Sequence, residues 1–304
     1  MSSSTGPTST GPTSTGPTST GPTPTPGITG ATRLATVIGH PIAHSLSPTL
    51  FNAAFAATGL DWVYLAFDVA AGQAASALDA VRTLGIGGVS VTTPHKADVA
   101  AAVDELDPAA AALGAVNCVV PAADGRLVGH NTDGVGFLAG VRADLGIEVG
   151  GRHVVVLGAG GAARAIVAAV AAAGAARVSV VNRDPGRAEV AAALGGDRGV
   201  VAGAEVLGAA DLVVNATSVG MAGVAEGAVP ADPATIAAPA AAVDIVYHPL
   251  QTPFLRGAGA RGLPTANGVG MLIGQAAAAF ELWTGSPAPV AAMRAAADVV
   301  LVRR

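Results

Sequence analysis

The chain has 304 residues, of which 51% are hydrophobic and 12% charged, and it carries a formal net charge of −5 at pH 7. So many apolar side chains exclude a chain that is disordered throughout, and the length predicts one large domain or two ordinary ones. The acidic balance provides no basic surface for a phosphate backbone, which argues against a nucleic-acid binder.

The first 31 residues form a low-complexity tail. The unit STGPT occurs four times in succession between Ser4 and Thr23, and no large apolar side chain occurs between Met1 and Ile28. Proline recurs in every repeat and blocks the hydrogen bonds of helices and strands. We therefore expect residues 1–31 to be disordered.

From Thr32 to Asp133, apolar runs alternate with amphipathic stretches in strand–helix order. The pattern predicts strands at 34–38, 62–67 and 88–91, and helices at 47–58, 71–84 and 109–113. Two further strands, 117–120 and 127–130, flank Asp124 and Gly125. Because an Asp-Gly pair marks a tight turn, we expect these two strands to form a hairpin.

A second segment of the same kind begins near Asp133. The pattern predicts helices at 135–145 and 162–173, and strands at 153–157, 177–181, 212–215 and 242–245. Two C-terminal helices, at 270–283 and 287–300, are expected to return to the first segment. We therefore predict an α/β fold with two α/β domains, one formed by residues 32–133 plus 267–304 and the other by residues 134–266.

A glycine-rich turn joins the apolar strand 153–157 to the helix 162–173. Glycine at such a turn lets a pyrophosphate approach the backbone, where free N–H groups and the positive end of the helix dipole bind it. This context predicts a dinucleotide site in a Rossmann-type domain, with an ordinary tight turn as the alternative. The residues predicted to hold the cofactor here are Gly158, Ala159, Gly160, Gly161 and Ala162.

The kind of dinucleotide is read at the end of the next strand, where NAD sites place an acidic residue on the ribose. This chain has Asn182, Arg183 and Asp184 there, with Arg187 one helical turn later. The two arginines suit the 2′-phosphate of NADP, by charge and by bidentate hydrogen bonding. Asp184 would repel that phosphate if it turned inward and would be harmless if it capped the next helix. We predict NADP, with NAD as the alternative.

In the first domain, a loop with two serines precedes the predicted helix 47–58. Ser47 is a natural N-cap residue, which alone could explain it, whereas Ser45 has no such structural role. Hydroxyl groups at a helix N-terminus bind a carboxylate well, because the helix dipole and the free N–H groups add to their hydrogen bonds. Both serines are therefore candidate ligands of an anion.

Lysine is almost absent from the chain: of 16 basic residues, 15 are arginine and one is Lys96. Chance survival is the simple explanation, but arginine keeps its proton and cannot replace lysine as an acid–base group. Lys96 and Thr92 follow the strand 88–91 at the sheet edge where α/β proteins bind ligands. Asn117 and Asp133 lie at the two ends of the predicted hairpin, although Asp133 would also suit a helix cap.

Together these motifs resemble those of the shikimate dehydrogenase family, from about Thr32 to the end of the chain. The matching segments are HSLSP at 44–48, VTTPHK at 91–96, GAVN at 114–117, NTDG at 131–134, GAGGAAR at 158–164, NATSVGM at 215–221, DIVYHPLQTPFL at 244–255 and NGVGMLIGQAAAAFELW at 267–283. The chain departs from the family pattern at Ser90, where many members have asparagine. It also departs at Asp184, where NADP-using members commonly have threonine.

The resemblance implies reversible reduction of 3-dehydroshikimate to shikimate by NADPH, with substrate bound by the first domain and NADP by the second. It implies that Lys96 and Asp133 are the catalytic pair and that Ser45 and Ser47 hold the substrate carboxylate. The other implied substrate-binding residues are Thr92, Asn117, Tyr247 and Gln275, and the other implied cofactor-binding residues are Thr217, Ile245 and Gly268.

Two other functions stay open from the sequence: an NAD(P)-dependent quinate/shikimate dehydrogenase of broader specificity, and a non-catalytic dinucleotide-binding module. No metal site is expected, because the six histidines are scattered. The single Cys118 fits a reducing compartment, and no apolar run is long enough to span a bilayer. We therefore expect a cytoplasmic protein that binds small molecules and no membrane, and the sequence leaves the oligomeric state open.

Overall fold

A computed structural model describes residues 1–3 and 27–302 of the chain. The described residues form two six-stranded sheets with apolar clusters on both faces of each sheet, which confirms the predicted α/β class. Residues 4–26 of the predicted disordered tail lie outside the described residues. In the part of the chain that is described, no helix combines the length and the apolar character needed to cross a bilayer.

The first sheet is mixed. Its strands are β1 Arg33–Gly39, β2 Trp62–Asp68, β3 Gly88–Val91, β4 Glu105–Leu106, β5 Cys118–Pro121 and β6 Leu127–His130, in the order β2-β1-β3-β5-β6-β4. β1 is parallel to β2 and β3, whereas β5 is antiparallel to β3 and β6. The β5–β6 hairpin is as predicted, and Gly125 in its turn has a φ of 86°, which favours glycine.

The second sheet is parallel throughout. Its strands are β7 His153–Leu157, β8 Arg177–Val181, β9 Gly199–Val201, β10 Leu212–Asn215, β11 Ala241–Asp244 and β12 Thr265–Ala266, in the order β12-β11-β10-β7-β8-β9. This is the order of a Rossmann-type domain, as predicted. The order reverses between β7 and β10, and ligands of such sheets bind at the carboxyl ends of the strands beside that point.

Helices cover both sheets. The α-helices of the described residues are α1 Ser47–Thr58, α2 Ala74–Leu84, α3 Lys96–Ala102, α4 Pro108–Leu113, α5 Asp133–Leu145, α6 Gly161–Ala172, α7 Pro185–Ala193, α8 Pro253–Ala260, α9 Val269–Thr284 and α10 Val290–Leu301. Apolar side chains of α1, α9 and α10 pack on one face of the first sheet, and those of α2, α3 and α4 pack on the other. In the second sheet, α5, α6 and α7 cover one face and α8 the other.

The predicted bounds are accurate where an apolar run is delimited by glycine or polar residues, and β3, β7, β8 and β10 match residue for residue. α2 begins three residues later than predicted, because Gly72 takes a φ of 81° in a preceding turn. The pattern does not predict α3, α7 and α8, or the strands β4, β9 and β12. These elements span two to nine residues, too few for an apolar period to repeat clearly.

The C-terminal helices return to the first sheet, as predicted. Trp283 near the end of α9 donates its indole N–H to the carbonyl oxygen of Val119 on β5 at 3.0 Å. Its ring lies over Gly88 of β3, where a Cβ atom would come within 2.5 Å of the indole. In α10, Met293 and Ala297 are buried in the same apolar cluster as Phe51. Both C-terminal helices therefore pack on the first sheet.

α5 and α9 approach each other so closely that their backbones touch. A Cβ atom on Gly274 of α9 would lie 2.5 Å from the carbonyl oxygen of Gly136 on α5, and a Cβ on Gly136 would meet the backbone nitrogen of Gln275. One turn away, a Cβ on Gly140 would lie 2.5 Å from the carbonyl carbon of Gly270. Glycines spaced four apart on both helices thus permit a contact that no larger residue allows.

We predict that Gly274→Ala destabilises the protein by about 1–3 kcal/mol, because the added methyl group must push two helix backbones apart. Urea unfolding followed by circular dichroism measures the change. Gly259→Ala is the matched control, because Gly259 also lies in a helix, α8, but has no atom within 4 Å of its would-be Cβ. Alanine should be neutral or stabilising there. Equal effects of the two substitutions would contradict the proposed constraint.

Candidate active site

The predicted substrate-side residues meet in one cavity between the two sheets. Its volume is about 230 Å³. The predicted residues that line it are Ser45, Ser47, Thr92, Lys96, Asn117, Asp133, Tyr247 and Gln275. Gly268, predicted on the cofactor side, lines it too. The first sheet contributes the loops after β1 and β3 and before β5, and the second sheet contributes the loop after β11. The helices α5 and α9 contribute Asp133 and Gln275.

The two serines lie at the N-terminus of α1, but their roles there differ from the prediction. Ser47 is not the N-cap: the helix begins at Ser47 itself, and the capping position is Leu46, which provides no side-chain hydrogen bond. Instead the Ser45 hydroxyl accepts a hydrogen bond from the backbone N–H of Ser47 at 3.3 Å. Proline lies in the first turn of the helix, where its missing N–H has no intrahelical partner to lose. The Ser47 hydroxyl is therefore available to the cavity.

Lys96 and Asp133 form an ion pair in the cavity wall. Lys96 Nζ lies 2.5 Å from Asp133 Oδ2, with the lysine side chain 28% and the aspartate side chain 10% exposed. Asp133 is the first residue of α5, after Thr132 at the capping position, so its predicted alternative role as a helix cap is wrong. Lys96 contacts one oxygen of the carboxylate and Asn117 contacts the other, and all three side chains line the cavity.

Asn117 holds this pair in place. Its amide nitrogen donates to Asp133 Oδ1 at 2.8 Å and to the Thr132 hydroxyl at 3.0 Å, and its amide oxygen accepts from the Thr132 backbone N–H at 2.7 Å. Asn117 and Thr132 are both buried. The start of α5 is thus fixed to the end of the loop before β5, and Asp133 is fixed with it.

Thr92 and Gln275 complete the polar wall from opposite sides. Thr92 follows β3, and its backbone N–H donates to the carbonyl oxygen of Ile38 at 3.0 Å, which holds the loop against β1. Gln275 lies on α9, and its backbone carbonyl accepts from the Thr132 hydroxyl at 3.1 Å. His95, between Thr92 and Lys96 in the chain, is fully buried with Nε2 2.7 Å from the Val69 carbonyl, so it packs beneath the loop.

A second, larger cavity of about 690 Å³ adjoins the first. The predicted cofactor residues that line it are Gly160, Gly161, Ala162, Thr217 and Ile245. His44, Ile245 and Tyr247 line both cavities, so the two lie side by side. The second cavity lies at the carboxyl ends of β7 and β10, where the strand order reverses.

The glycine-rich turn fits a dinucleotide. Gly158 has a φ of 111°, and a Cβ on it would lie 2.9 Å from the methyl group of Thr217, so only glycine suits this position. By contrast, nothing lies within 4 Å of a Cβ on Gly160 or Gly161, which leaves open space beside the backbone. No side chain caps the N-terminus of α6. The N–H groups of its first turn are therefore available to a phosphate.

A third cavity, of about 400 Å³, extends this site toward the end of β8. Arg187, Arg164 and Asp184 line it together with Gly160 and Gly161. Asp184 is the N-cap of α7: its carboxylate accepts from the Arg187 backbone N–H at 3.0 Å, which is the harmless role weighed for it. Asn182 and Arg183 are not among the lining residues. The amide of Asn182 donates instead to the Asp184 carbonyl at 2.9 Å.

A buried network that the sequence analysis does not predict braces the cofactor side. Asp244 at the end of β11 accepts hydrogen bonds from the Thr252 hydroxyl at 2.7 Å, the Asn215 amide at 3.0 Å and the Val246 N–H at 3.0 Å. Burial raises the pKa of the Asp244 carboxyl above its ordinary value, and these three hydrogen bonds oppose the rise. The network ties β10 to β11 and so positions Thr217 and Ile245. The signal in the sequence is a polar residue at the end of each of two apolar strands.

The described residues contain no group of three or more His, Cys, Asp or Glu side chains placed to hold a metal ion. Cys118 is a free thiol, and burial raises its pKa, which makes it unreactive.

Three family profiles match the chain. The profile described as "Shikimate dehydrogenase substrate binding domain" matches residues 37–119. That described as "Shikimate / quinate 5-dehydrogenase" matches residues 142–247, and the "Shikimate 5'-dehydrogenase C-terminal domain" profile matches residues 268–297. The three matches follow the chain through the first sheet, the second sheet and the C-terminal helices.

Individual proteins are similar over most of their length. The shikimate dehydrogenase (NADP(+)) of Moorella thermoacetica is 46% identical over 279 residues, which cover 88% of this chain and 92% of that protein. The crystal structure of shikimate 5-dehydrogenase from Thermus thermophilus with NADP(H) and shikimate has a TM-score of 0.82 at 41% identity, covering 88% of this chain and 100% of that one. Quinate dehydrogenase from Corynebacterium glutamicum with NAD has a TM-score of 0.81 at 35% identity, covering 88% and 99%.

We predict that Asn117→Ala lowers the free energy of unfolding by about 1–3 kcal/mol, because the buried Thr132 N–H loses its acceptor. Chemical denaturation measures the loss. Asn182→Ala is the control, because the hydrogen bond of the Asn182 side chain to the Asp184 carbonyl lies at an exposed site. Its removal should lower the free energy of unfolding by only about a few tenths of a kcal/mol, as is usual at surface positions. If both variants unfolded like the wild type, Asn117 would not be the residue that fixes α5.

Proposed function

The chain belongs to the shikimate dehydrogenase family, and on that basis we propose that it catalyses the reversible, NADP-dependent reduction of 3-dehydroshikimate to shikimate. The observation that carries the proposal is the Lys96–Asp133 ion pair, at 2.5 Å, in the wall of a cavity that adjoins the candidate dinucleotide site. A cationic proton donor at that place is what reduction of a ketone needs.

The substrate fits the smaller cavity by its chemistry. We place its carboxylate at Ser45 and Ser47, where the N-terminus of the twelve-residue helix α1 adds favourable dipole and N–H interactions. The ring hydroxyls then extend toward the polar wall. The residues proposed to contact them are Thr92, Lys96, Asn117, Asp133, Tyr247 and Gln275, all of which line the cavity.

The cofactor is proposed to occupy the second and third cavities. The pyrophosphate would bind at the N-terminus of α6 and the 2′-phosphate beside Arg187. The proposed contacts are Gly158, Ala159, Gly160, Gly161, Ala162, Asn182, Arg183, Arg187, Thr217, Ile245 and Gly268. The open space at Gly160 and the presence of Arg187 in the lining of the third cavity support NADP.

When bound, NADPH supplies hydride to the ketone carbon of 3-dehydroshikimate. Negative charge then develops on the carbonyl oxygen, where the Lys96 ammonium stabilises it and donates a proton. Asp133 accepts from the ammonium and orients it, and Asn117 holds Asp133 through its second oxygen. In the reverse direction, neutral Lys96 accepts the proton of the substrate hydroxyl.

We also propose the domain division in which residues 32–133 plus 267–304 bind the substrate and residues 134–266 bind NADP. Apolar residues of α9 and α10 share one cluster with the first sheet, which supports the discontinuous first domain. The free thiol of Cys118 supports a cytoplasmic location. Small molecules are the proposed partners.

An assay of the purified chain with four pairs of reagents tests the function: shikimate or quinate, each with NADP or NAD. We expect the highest kcat/KM with shikimate and NADP. Equal turnover of quinate would replace this function with a broader quinate/shikimate dehydrogenase, because quinate has a saturated ring and one more hydroxyl group. Absence of turnover with every pair would leave only dinucleotide binding.

We predict that Lys96→Arg lowers kcat by about 10²–10⁴-fold while shikimate still binds, because arginine keeps the positive charge but cannot release its proton. Steady-state kinetics and a shikimate titration by calorimetry separate the two effects. A variant with near-normal kcat and an unchanged melting temperature would refute the acid–base role of Lys96.

We predict that Arg187→Ala raises KM for NADP by about 10- to 100-fold and leaves KM for NAD unchanged, because a charge-assisted hydrogen bond to the 2′-phosphate is lost. Arg177→Ala is the control, since Arg177 is an exposed arginine at the far end of β8. An Arg187→Ala variant that loses affinity for both cofactors equally would argue against recognition of the 2′-phosphate by this residue.

A further inference from the structure

Tyr64 places a phenol hydroxyl beneath two serines of the substrate cavity. The residue lies on β2 and is fully buried, so it does not line the cavity itself. Its Oη atom has no hydrogen-bond partner of acceptable geometry. The polar side chains beside it are the hydroxyls of Ser90 and Ser47, which are close enough to influence its ionisation. Both serines line the cavity.

The ring is held in this direction by its neighbours. Tyr64 pairs with Ala35 on β1, and Ala35 pairs with Gly88 on β3, so Tyr64 lies on the same face of the sheet as Gly88 and Ser90. The indole of Trp283, which covers Gly88, lies beside the Tyr64 ring with centroids 6.1 Å apart. The ring stacks on Phe51 of α1 with centroids 4.4 Å apart and planes 7° from parallel.

The backbone at Tyr64 is fixed as well. Asn52 of α1 donates its amide N–H to the Tyr64 carbonyl at 2.9 Å and accepts from the Tyr64 N–H at 2.8 Å. These two bonds clamp β2 to the helix that begins at Ser47. The backbone bonds to Asn52 and the stacking of the ring on Phe51 thus fix the position of the hydroxyl.

An unpartnered buried hydroxyl is unfavourable, and phenylalanine would fill the same space without it. Burial also raises the pKa of Tyr64, so the phenol stays protonated and remains a donor. An oxygen that costs stability in the free protein and lies under two cavity serines is explained if it acts when ligand binds.

We propose that Tyr64 is a positioning residue for the substrate carboxylate, acting through Ser47 in a chain of hydroxyls. Ser90 donates to Tyr64 Oη, Tyr64 donates to Ser47 Oγ, and Ser47 donates its single proton to the carboxylate. A serine hydroxyl has one proton and two acceptor sites, so a donor behind it leaves the proton to the ligand. This inference rests on the proposed function, in which Ser47 binds that carboxylate.

Ser90 lines the cavity and lies on the face of the sheet that carries Tyr64. Its hydroxyl can donate to the phenol while its oxygen accepts from elsewhere. Ser90 and the unpartnered phenol therefore meet at one place. The chain of hydroxyls therefore gives Ser90 a role in this protein.

The test is steady-state kinetics of Tyr64→Phe, which removes one oxygen and keeps the ring stacked on Phe51. We expect KM for shikimate to rise roughly 3- to 10-fold, the effect of one hydrogen bond, with kcat and KM for NADP little changed. The melting temperature of the free protein should stay the same or rise. Thr36→Val is the matched control: it removes a buried hydroxyl, bonded to the Leu65 carbonyl at 2.9 Å, from the neighbouring strand. It should lower the melting temperature and leave KM unchanged.

A double-mutant cycle with Ser47→Ala tests whether Tyr64 acts through Ser47. We expect Tyr64→Phe to have little further effect on KM once the Ser47 hydroxyl is absent, whereas additive effects would overturn the proposal. Ser90→Ala provides a second measurement, with an expected rise in KM that is not additive with Tyr64→Phe.

The outcomes separate the two proposals. A wild-type protein that does not turn over shikimate would overturn the proposed function and this inference with it. An active wild type with an unchanged KM in Tyr64→Phe would overturn this inference alone, as would a lower melting temperature without a change in KM, which is the sign of a purely structural hydroxyl.

Discussion

The backbone contact between α5 and α9 is the constraint on which the site depends. α5 carries the chain from the first sheet to the second, and α9 carries it back, so the two connections between the sheets pack directly against each other. Glycines on both helices allow the approach. Asp133 is the first residue of α5 and Gln275 lies in the second turn of α9, so this contact brings both into one cavity beside the loops of the first sheet. The cavity proposed for the substrate and the cavity proposed for the cofactor therefore lie side by side.

The lining of the first cavity contains the ion pair of Lys96 and Asp133. Within the cavity lining, one ammonium and one carboxylate face each other, and Asn117 satisfies the second carboxylate oxygen. A chain that uses arginine for 15 of its 16 basic residues has lysine at the position where the proposed chemistry moves a proton. Arginine would preserve the ion pair but not the proton transfer. The composition and the geometry therefore support the same acid–base role for Lys96, and chance survival is the weaker explanation of this single lysine.

The sequence predicts the fold class, the succession of most strands and helices along the chain, and most of the residues that meet in the cavity. It succeeds at β7, because an apolar run that ends at a glycine turn delimits the strand by a local signal. It fails at Ser47, because the choice between N-cap and first helical residue depends on backbone angles around Pro48. It also does not predict the contacts of Tyr64 and Asp244, since their partners come from other elements and are brought near only by tertiary packing.

The central claim is that the cleft binds shikimate with its carboxylate at the serines and its reacting oxygen at the lysine. A crystal structure of the wild-type chain with shikimate and NADP measures this directly. The account predicts the carboxylate against Ser45 and Ser47 and the reacting hydroxyl oxygen within about 2.6–3.2 Å of Lys96 Nζ, facing the nicotinamide. Shikimate bound in the reverse orientation, or with Lys96 beyond hydrogen-bond reach of that oxygen, would contradict it.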